Sequence, residues 1–118
     1  MKAIEIISIP VTNQQLAKDF YLKLGFAVLV ESPFGPDGAQ WIQMAYPGSP
    51  VSITLVNWFP DMKAGSIRGL VIKTDDLDAD IKDLTEKGVE LGEVENTPWG
   101  KFLNIKDPDG NVMSLHGK

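Results

Sequence analysis

Few residues in this chain are equipped for chemistry. It has one histidine, His116, and no cysteine, which excludes a cysteine nucleophile, thiolate zinc sites and a disulfide framework. Catalysis without a metal needs an acid–base pair or an activated nucleophile. Lys73, beside Ile72 on an apolar strand, is a base only if buried, and Glu5 and Glu31 could approach from strand edges. Such charges are ordinarily solvated. A lone histidine without a companion at chelating spacing cannot hold zinc or iron tightly. The Asp107-Pro108-Asp109-Gly110 run suits a tight turn better than the spaced oxygen ligands of a calcium loop. Asp75, Asp76, Asp78, Asp80 and Asp83 favour a helix N-terminus through the macrodipole and read as a solvated face. Aromatic rings are the remaining resource. Trp41 and Phe102 sit on strands, where they either stack on a planar ligand or pack against a partner surface. Trp58, Phe59 and Trp99 lie beside glycines and prolines in connecting segments, which suits an interface or a pocket rim.

The elements that must position these groups are legible from periodicity. Residues 2–11 read as a strand, with Ile4, Ile6, Ile7, Ile9 and Val11. Thr12 or Asn13 caps a helix, and Thr12 with Gln15 fits a capping box. Ala17, Phe20, Tyr21 and Leu24 form its apolar face, and Gly25 ends it. Strands are expected at 26–31, 39–45 and 51–57. The order then repeats: a strand at 67–74, a helix capped by Asp75 or Asp76 and closed by Gly88, and strands at 89–94, 101–105 and 111–116. Leu77, Ile81 and Leu84 carry the second helix's apolar face. The shift that carries Asn13 onto Asp76 also carries Ile9 onto Ile72 and Gly25 onto Gly88, so two tandem βαβββ modules are expected. Module one is 1–57, the linker 58–66 and module two 67–118, within one domain spanning 1–118. At 43% apolar residues the chain can build an ordinary core. Sixteen acidic against 11 basic side chains, net −5, argue against nucleic acid as a partner. No apolar run approaches the roughly 20 residues of a membrane span, and no apolar leader opens the chain. A soluble, cytoplasmic protein is expected.

The segment IPVTNQQLAKDFYLKLGF (9–26), with TDDLDADIKDLTEKGV (74–89) and TPWGKFLNIKDPDGN (97–111), resembles the vicinal oxygen chelate superfamily. That superfamily includes glyoxalase I, bleomycin-resistance proteins, fosfomycin-resistance enzymes and extradiol dioxygenases. The resemblance covers nearly the whole chain. It implies an α+β fold in which two tandem βαβββ modules, with mixed curled sheets, form a half-open barrel with the helices outside. It also implies a homodimer. Metal-dependent members place a His on the first strand of each module and a carboxylate, His or Gln on a later one. Here the His positions, equally far before Asn13 and Asp76, hold Ile6 and Gly69. Ser114 stands at the usual Glu position on the last strand, and Ser52 or Thr54 at the fourth. Isoleucine offers no lone pair, and neutral hydroxyls bind divalent ions weakly on their own. No metal and no other cofactor is therefore expected.

Resemblance and strand alternation together nominate the concave, cup-facing side chains: Ile6, Ser8, Trp41, Gln43, Ser52, Thr54, Val71, Lys73, Phe102, Asn104, Ser114 and His116. Of these, all but Val71 are taken as candidate ligand contacts, and no catalytic residue is assigned. An apolar floor with aromatic rings and a few neutral polar groups is the composition of a small-molecule site. The expected function is metal-independent binding of a small organic molecule, of the sequestering, bleomycin-resistance type. The acidic balance is compatible with a cationic ligand. Two alternatives stand beside it: a glyoxalase-like lyase or isomerase with an atypical metal site, and a non-catalytic scaffold.

Overall fold

Two short polar side chains start the helices. In the computed structural model, which describes residues 1–118, Asn13 accepts a hydrogen bond from the Leu16 N–H at 3.0 Å and Asp76 from the Ala79 N–H at 3.0 Å. Each satisfies a backbone donor that the first turn leaves unpaired. Gly25 and Gly88 follow the last turns in the left-handed region, as their sequence positions suggest. The expected capping box does not form. Thr12 instead gives its hydroxyl (2.6 Å) and its N–H (3.1 Å) to the Asp109 carboxylate, a charge-assisted contact stronger than the local one it replaces.

The first half contains β1 (Ile6–Pro10), α1 (Gln14–Lys23), β2 (Ala27–Pro33), β3 (Gln40–Ala45) and β4 (Ser52–Val56). The second contains β5 (Leu70–Lys73), α2 (Leu77–Glu86), β6 (Glu95–Thr97), β7 (Gly100–Lys106) and β8 (Val112–Gly117). The fold is thus α+β, with βαβββ present twice. The sheets run β1-β4-β3-β2 and β5-β8-β7-β6. In each, the opening strand lies parallel to the last strand of its half and the other pairings are antiparallel. A parallel pair needs a crossover, and the helix provides it. Within the chain the two sheets remain separate and do not close into a barrel.

Three expected strands change. Strand 2–11 contracts to β1 because its partner β4 begins at Ser52, so residues 1–5 have no ladder beyond the bond from Ser52 N–H to Glu5 O. Strand 67–74 contracts to β5 because Gly69 turns at φ +87°. Residues 89–94 are not a strand; Leu91 makes one isolated bridge to Ile105, and pairing resumes only in β6. Val89 is buried and Leu91 packs against the core. Individual anchors, not a ladder, explain their apolar character.

Alternation places Ile9, Ile42, Met44, Leu55, Leu103, Ile105, Met113 and Leu115 on the helix-covered faces, and all are buried. With Ala17 and Tyr21 of α1 and Leu77 and Leu84 of α2 they belong to one cluster of 16 residues drawn from both halves. Ile81 packs against this cluster without being buried. The covered faces therefore share one core, and the opposite faces of the two sheets turn away from it.

A polar lock crosses the halves. The Tyr21 hydroxyl donates to Asp107 at 2.8 Å. Asp107 also accepts from the N–H groups of Asp109 and Asn111 and from the Asn111 amide. The same amide donates to Pro10 O at 2.8 Å, while its oxygen accepts from the Ile67 N–H at 3.0 Å. Burial, with the Asp107 charge beside it, pushes the Tyr21 hydroxyl far above the usual phenol range, so it stays a donor at any physiological pH. The DPDGN run is thus both a turn and a clasp.

Candidate ligand-binding faces

On the open face of the first sheet, Trp41 is the central side chain. Its indole N–H donates to Gln43 Oε1 at 3.1 Å, and the Gln43 amide donates to Ser52 Oγ at 2.8 Å. Ser52 Oγ in turn reaches Glu5 O. This relay satisfies the indole edge internally and fixes the ring's orientation. Ser8 and Thr54 bond to each other at 3.2 Å. Ser52 and Thr54 are buried, whereas Ile6, Ser8, Trp41 and Gln43 are half-buried. Two rings from outside the strands join Trp41. Trp58 lies 6.0 Å away, inclined by only 21°, and Phe34 lies 5.4 Å from Trp41 and 4.6 Å from Trp58.

The open face of the second sheet is laid out by register. One row runs Lys73, His116, Phe102, Glu95 across β5, β8, β7 and β6; the next runs Val71, Ser114, Asn104. Phe102 stacks on His116 at 4.4 Å and 12°. Ser114 Oγ donates to Asn104 Oδ1 at 2.8 Å. His116 Nε2 meets the carbonyl of Trp99, which stands at the β6–β7 turn, at 2.8 Å. Met113 and Leu115 point the other way and are buried. Lys73 is exposed rather than buried in the apolar strand. Glu31 is also accounted for: hydrogen bonds from Gln15 and Lys18 hold its carboxyl below the usual range on an open surface. Glu5 is exposed. No hydrogen bond or aromatic contact joins the two open faces, and the candidate residues form one group on each sheet.

Gly100 lets the turn approach His116. A Cβ there would lie 2.9 Å from His116 Nε2 and closer still to Gly117 O, and the residue sits at φ +123°. Gly100→Ala is expected to cost about 1–3 kcal/mol of stability through strain and clash. Chemical denaturation checks this, and an unchanged midpoint would show that the turn can rotate freely.

The superfamily's metal does not fit these residues. Register makes Thr54, opposite Ser8, the counterpart of Ser114, opposite Val71. The four positions are then Ile6, Gly69, Thr54 and Ser114, with two hydroxyls, both already hydrogen-bonded, as their only side-chain donors. Nowhere do three or more His, Cys, Asp or Glu side chains converge as a metal would require.

Trp58 and Phe34 were not among the sequence candidates for this face. Nothing at helical or strand spacing marks them, since both lie in connections and reach Trp41 only after β3 and β4 pair.

A family model for the Glyoxalase/Bleomycin resistance protein/Dioxygenase superfamily matches residues 3–115, and the chain belongs to that superfamily. Among solved structures it is similar to TnmS3, an antibiotic binding protein from Streptomyces sp. CB03234, with TM-score 0.92 and 45% identity over 99% of this chain and 96% of that one. A superfamily member from Sphaerobacter thermophilus DSM 20745 gives TM-score 0.89 and 30% identity over 100% and 98%. The uncharacterized protein YetH of Bacillus subtilis (strain 168) is 34% identical over 98% of each chain. No helix is long and apolar enough to cross a membrane.

Proposed function

We propose that this protein binds and sequesters a small organic molecule with a planar aromatic part, without a metal. The observation that carries the reading is the Trp41–Trp58–Phe34 cluster on an open sheet face whose metal-ligand positions hold no strong donor. The similarity to an antibiotic binding protein over nearly the whole chain supports the same class of activity. Two copies complete the site: the open faces of one chain turn away from its shared core, and apolar side chains stand exposed on both halves, among them Val28, Val30, Val71 and Val94. A dimer that sets the first sheet of one copy against the second sheet of the other would enclose both rows.

A melting-shift screen of planar aromatic compounds tests this, run with and without a chelator. Stabilisation that the chelator leaves unchanged is expected. Protein soaked in a panel of divalent metals and desalted is expected to retain far less than one ion per chain by elemental analysis. Stoichiometric retention with chelator-sensitive turnover of substrate would replace the binding reading with a glyoxalase-like enzyme. Light scattering on the purified protein is expected to give twice the chain mass.

A further inference from the structure

The second sheet's open face holds a polar pair whose chemistry is more selective than stacking. His116 Nε2 lies 2.8 Å from the Trp99 carbonyl oxygen. A carbonyl oxygen only accepts, so Nε2 carries the ring proton. In the neutral imidazole this leaves Nδ1 as a bare acceptor, and no group of the chain bonds to it. The ring is held in place by Phe102 stacked on one side and by the turn that Gly100 brings over Nε2. Lys73 is the register partner of His116 on the neighbouring strand and faces the same way, about 4.8 Å away from backbone to backbone. Its ammonium enters neither ion pair of the structure. Both residues line a cleft of about 500 Å³ together with Thr74, Asp75, Trp99, Gly117 and Lys118. Asp75 and Lys118 offset each other there, and Glu95 stands across Phe102. Lys73 is therefore the unpaired cation of the cleft that holds His116, whatever the net charge of −5 suggests for the whole molecule.

A lone-pair acceptor next to an ammonium donor is matched by one group that donates and accepts through a single oxygen, a hydroxyl. Resting on the binding function proposed above, we infer that the ligand bears a phenol-type hydroxyl on its planar ring. The hydroxyl donates to His116 Nδ1 and accepts from Lys73, with the ring in the cleft that Trp99 borders. An ether at the same position accepts from Lys73 but leaves Nδ1 unpaired, which weakens binding. The ammonium favours the ionised oxygen, and Nδ1 takes the proton as the phenol ionises, so the bound phenol titrates at lower pH than the free one.

The probes are 7-hydroxycoumarin and its methyl ether, 7-methoxycoumarin, with binding followed by fluorescence. The hydroxyl compound is expected to bind about tenfold tighter than the ether. Its phenolate excitation band should grow on binding at constant pH. Lys73→Met, at an exposed position, is expected to abolish that growth, and His116→Phe, which keeps a ring against Phe102, to remove the preference for the hydroxyl. Should His116→Phe fail to fold, the Lys73 variant still decides. Equal binding of both probes, lost together in Trp41→Ala, would leave the aromatic binding function standing and overturn the hydroxyl inference. Failure of both to bind up to their solubility limit would overturn both.

Discussion

Asn111→Ala is expected to lower the melting temperature by roughly 12–20 °C, the largest effect of any single truncation considered. The side chain is fully buried and makes three hydrogen bonds, to Pro10 O, to Asp107 and from the Ile67 N–H. Truncation leaves those partners without it in a space too enclosed for free hydration. Each orphaned buried group costs about 1–3 kcal/mol, and a total of about 3–5 kcal/mol matches the broken-network class of mutations. At this chain length about 4 °C of melting temperature accompanies each kcal/mol. Differential scanning calorimetry gives the answer, with Asp109→Ala as the control. Asp109 meets Thr12 at the surface, and its loss should cost about 1 kcal/mol or less. A drop under about 3 °C for Asn111→Ala would show that water replaces the clasp at little cost.

Trp41→Ala is expected to weaken binding of a planar aromatic ligand about thirtyfold. A buried aromatic anchor at the centre of a site is worth about 2 kcal/mol or more when truncated. Here the loss is compounded, because Trp58 and Phe34 lean on the same ring. Trp41→Phe separates the two contributions. It retains a ring for stacking and removes the N–H bond to Gln43, so a loss of only a few-fold is expected. Calorimetric titration with 7-hydroxycoumarin measures both. If Trp41→Ala binds like the parent protein while circular dichroism shows it folded, the first sheet's open face is not the ligand site.

The elements were legible because their signals are local. A capping side chain needs only the next three residues, which narrows the caps to Thr12 or Asn13 and to Asp75 or Asp76, and the structure selects Asn13 and Asp76. Strand alternation needs only a period of two, which is why Ile42 and Met44 turn inward as expected while Trp41 and Gln43 do not. The failures share one cause as well. Thr12 looked like half of a capping box and was taken instead by Asp109 from the other half of the chain. Residues 89–94 had a strand's composition but no neighbour in register to pair with. A contact between distant segments competes with the local one, and its strength is invisible until both segments are placed.

By itself, then, the sequence determined the repeated βαβββ order, the sides of each strand that face the helices, and the absence of metal-ligating side chains at the superfamily's usual positions. The first two follow from residue type and spacing, and the third from the resemblance to the superfamily. Tertiary structure alone decided that both helix-covered faces feed one core, with an open face on the far side of each sheet. It also decided that Trp58 and Phe34 gather on Trp41, and that the Trp99 carbonyl selects which nitrogen of His116 carries the proton. Each of these depends on sheet register and on the packing of one half against the other. Such pairings form between residues far apart in the chain, where no periodicity records them.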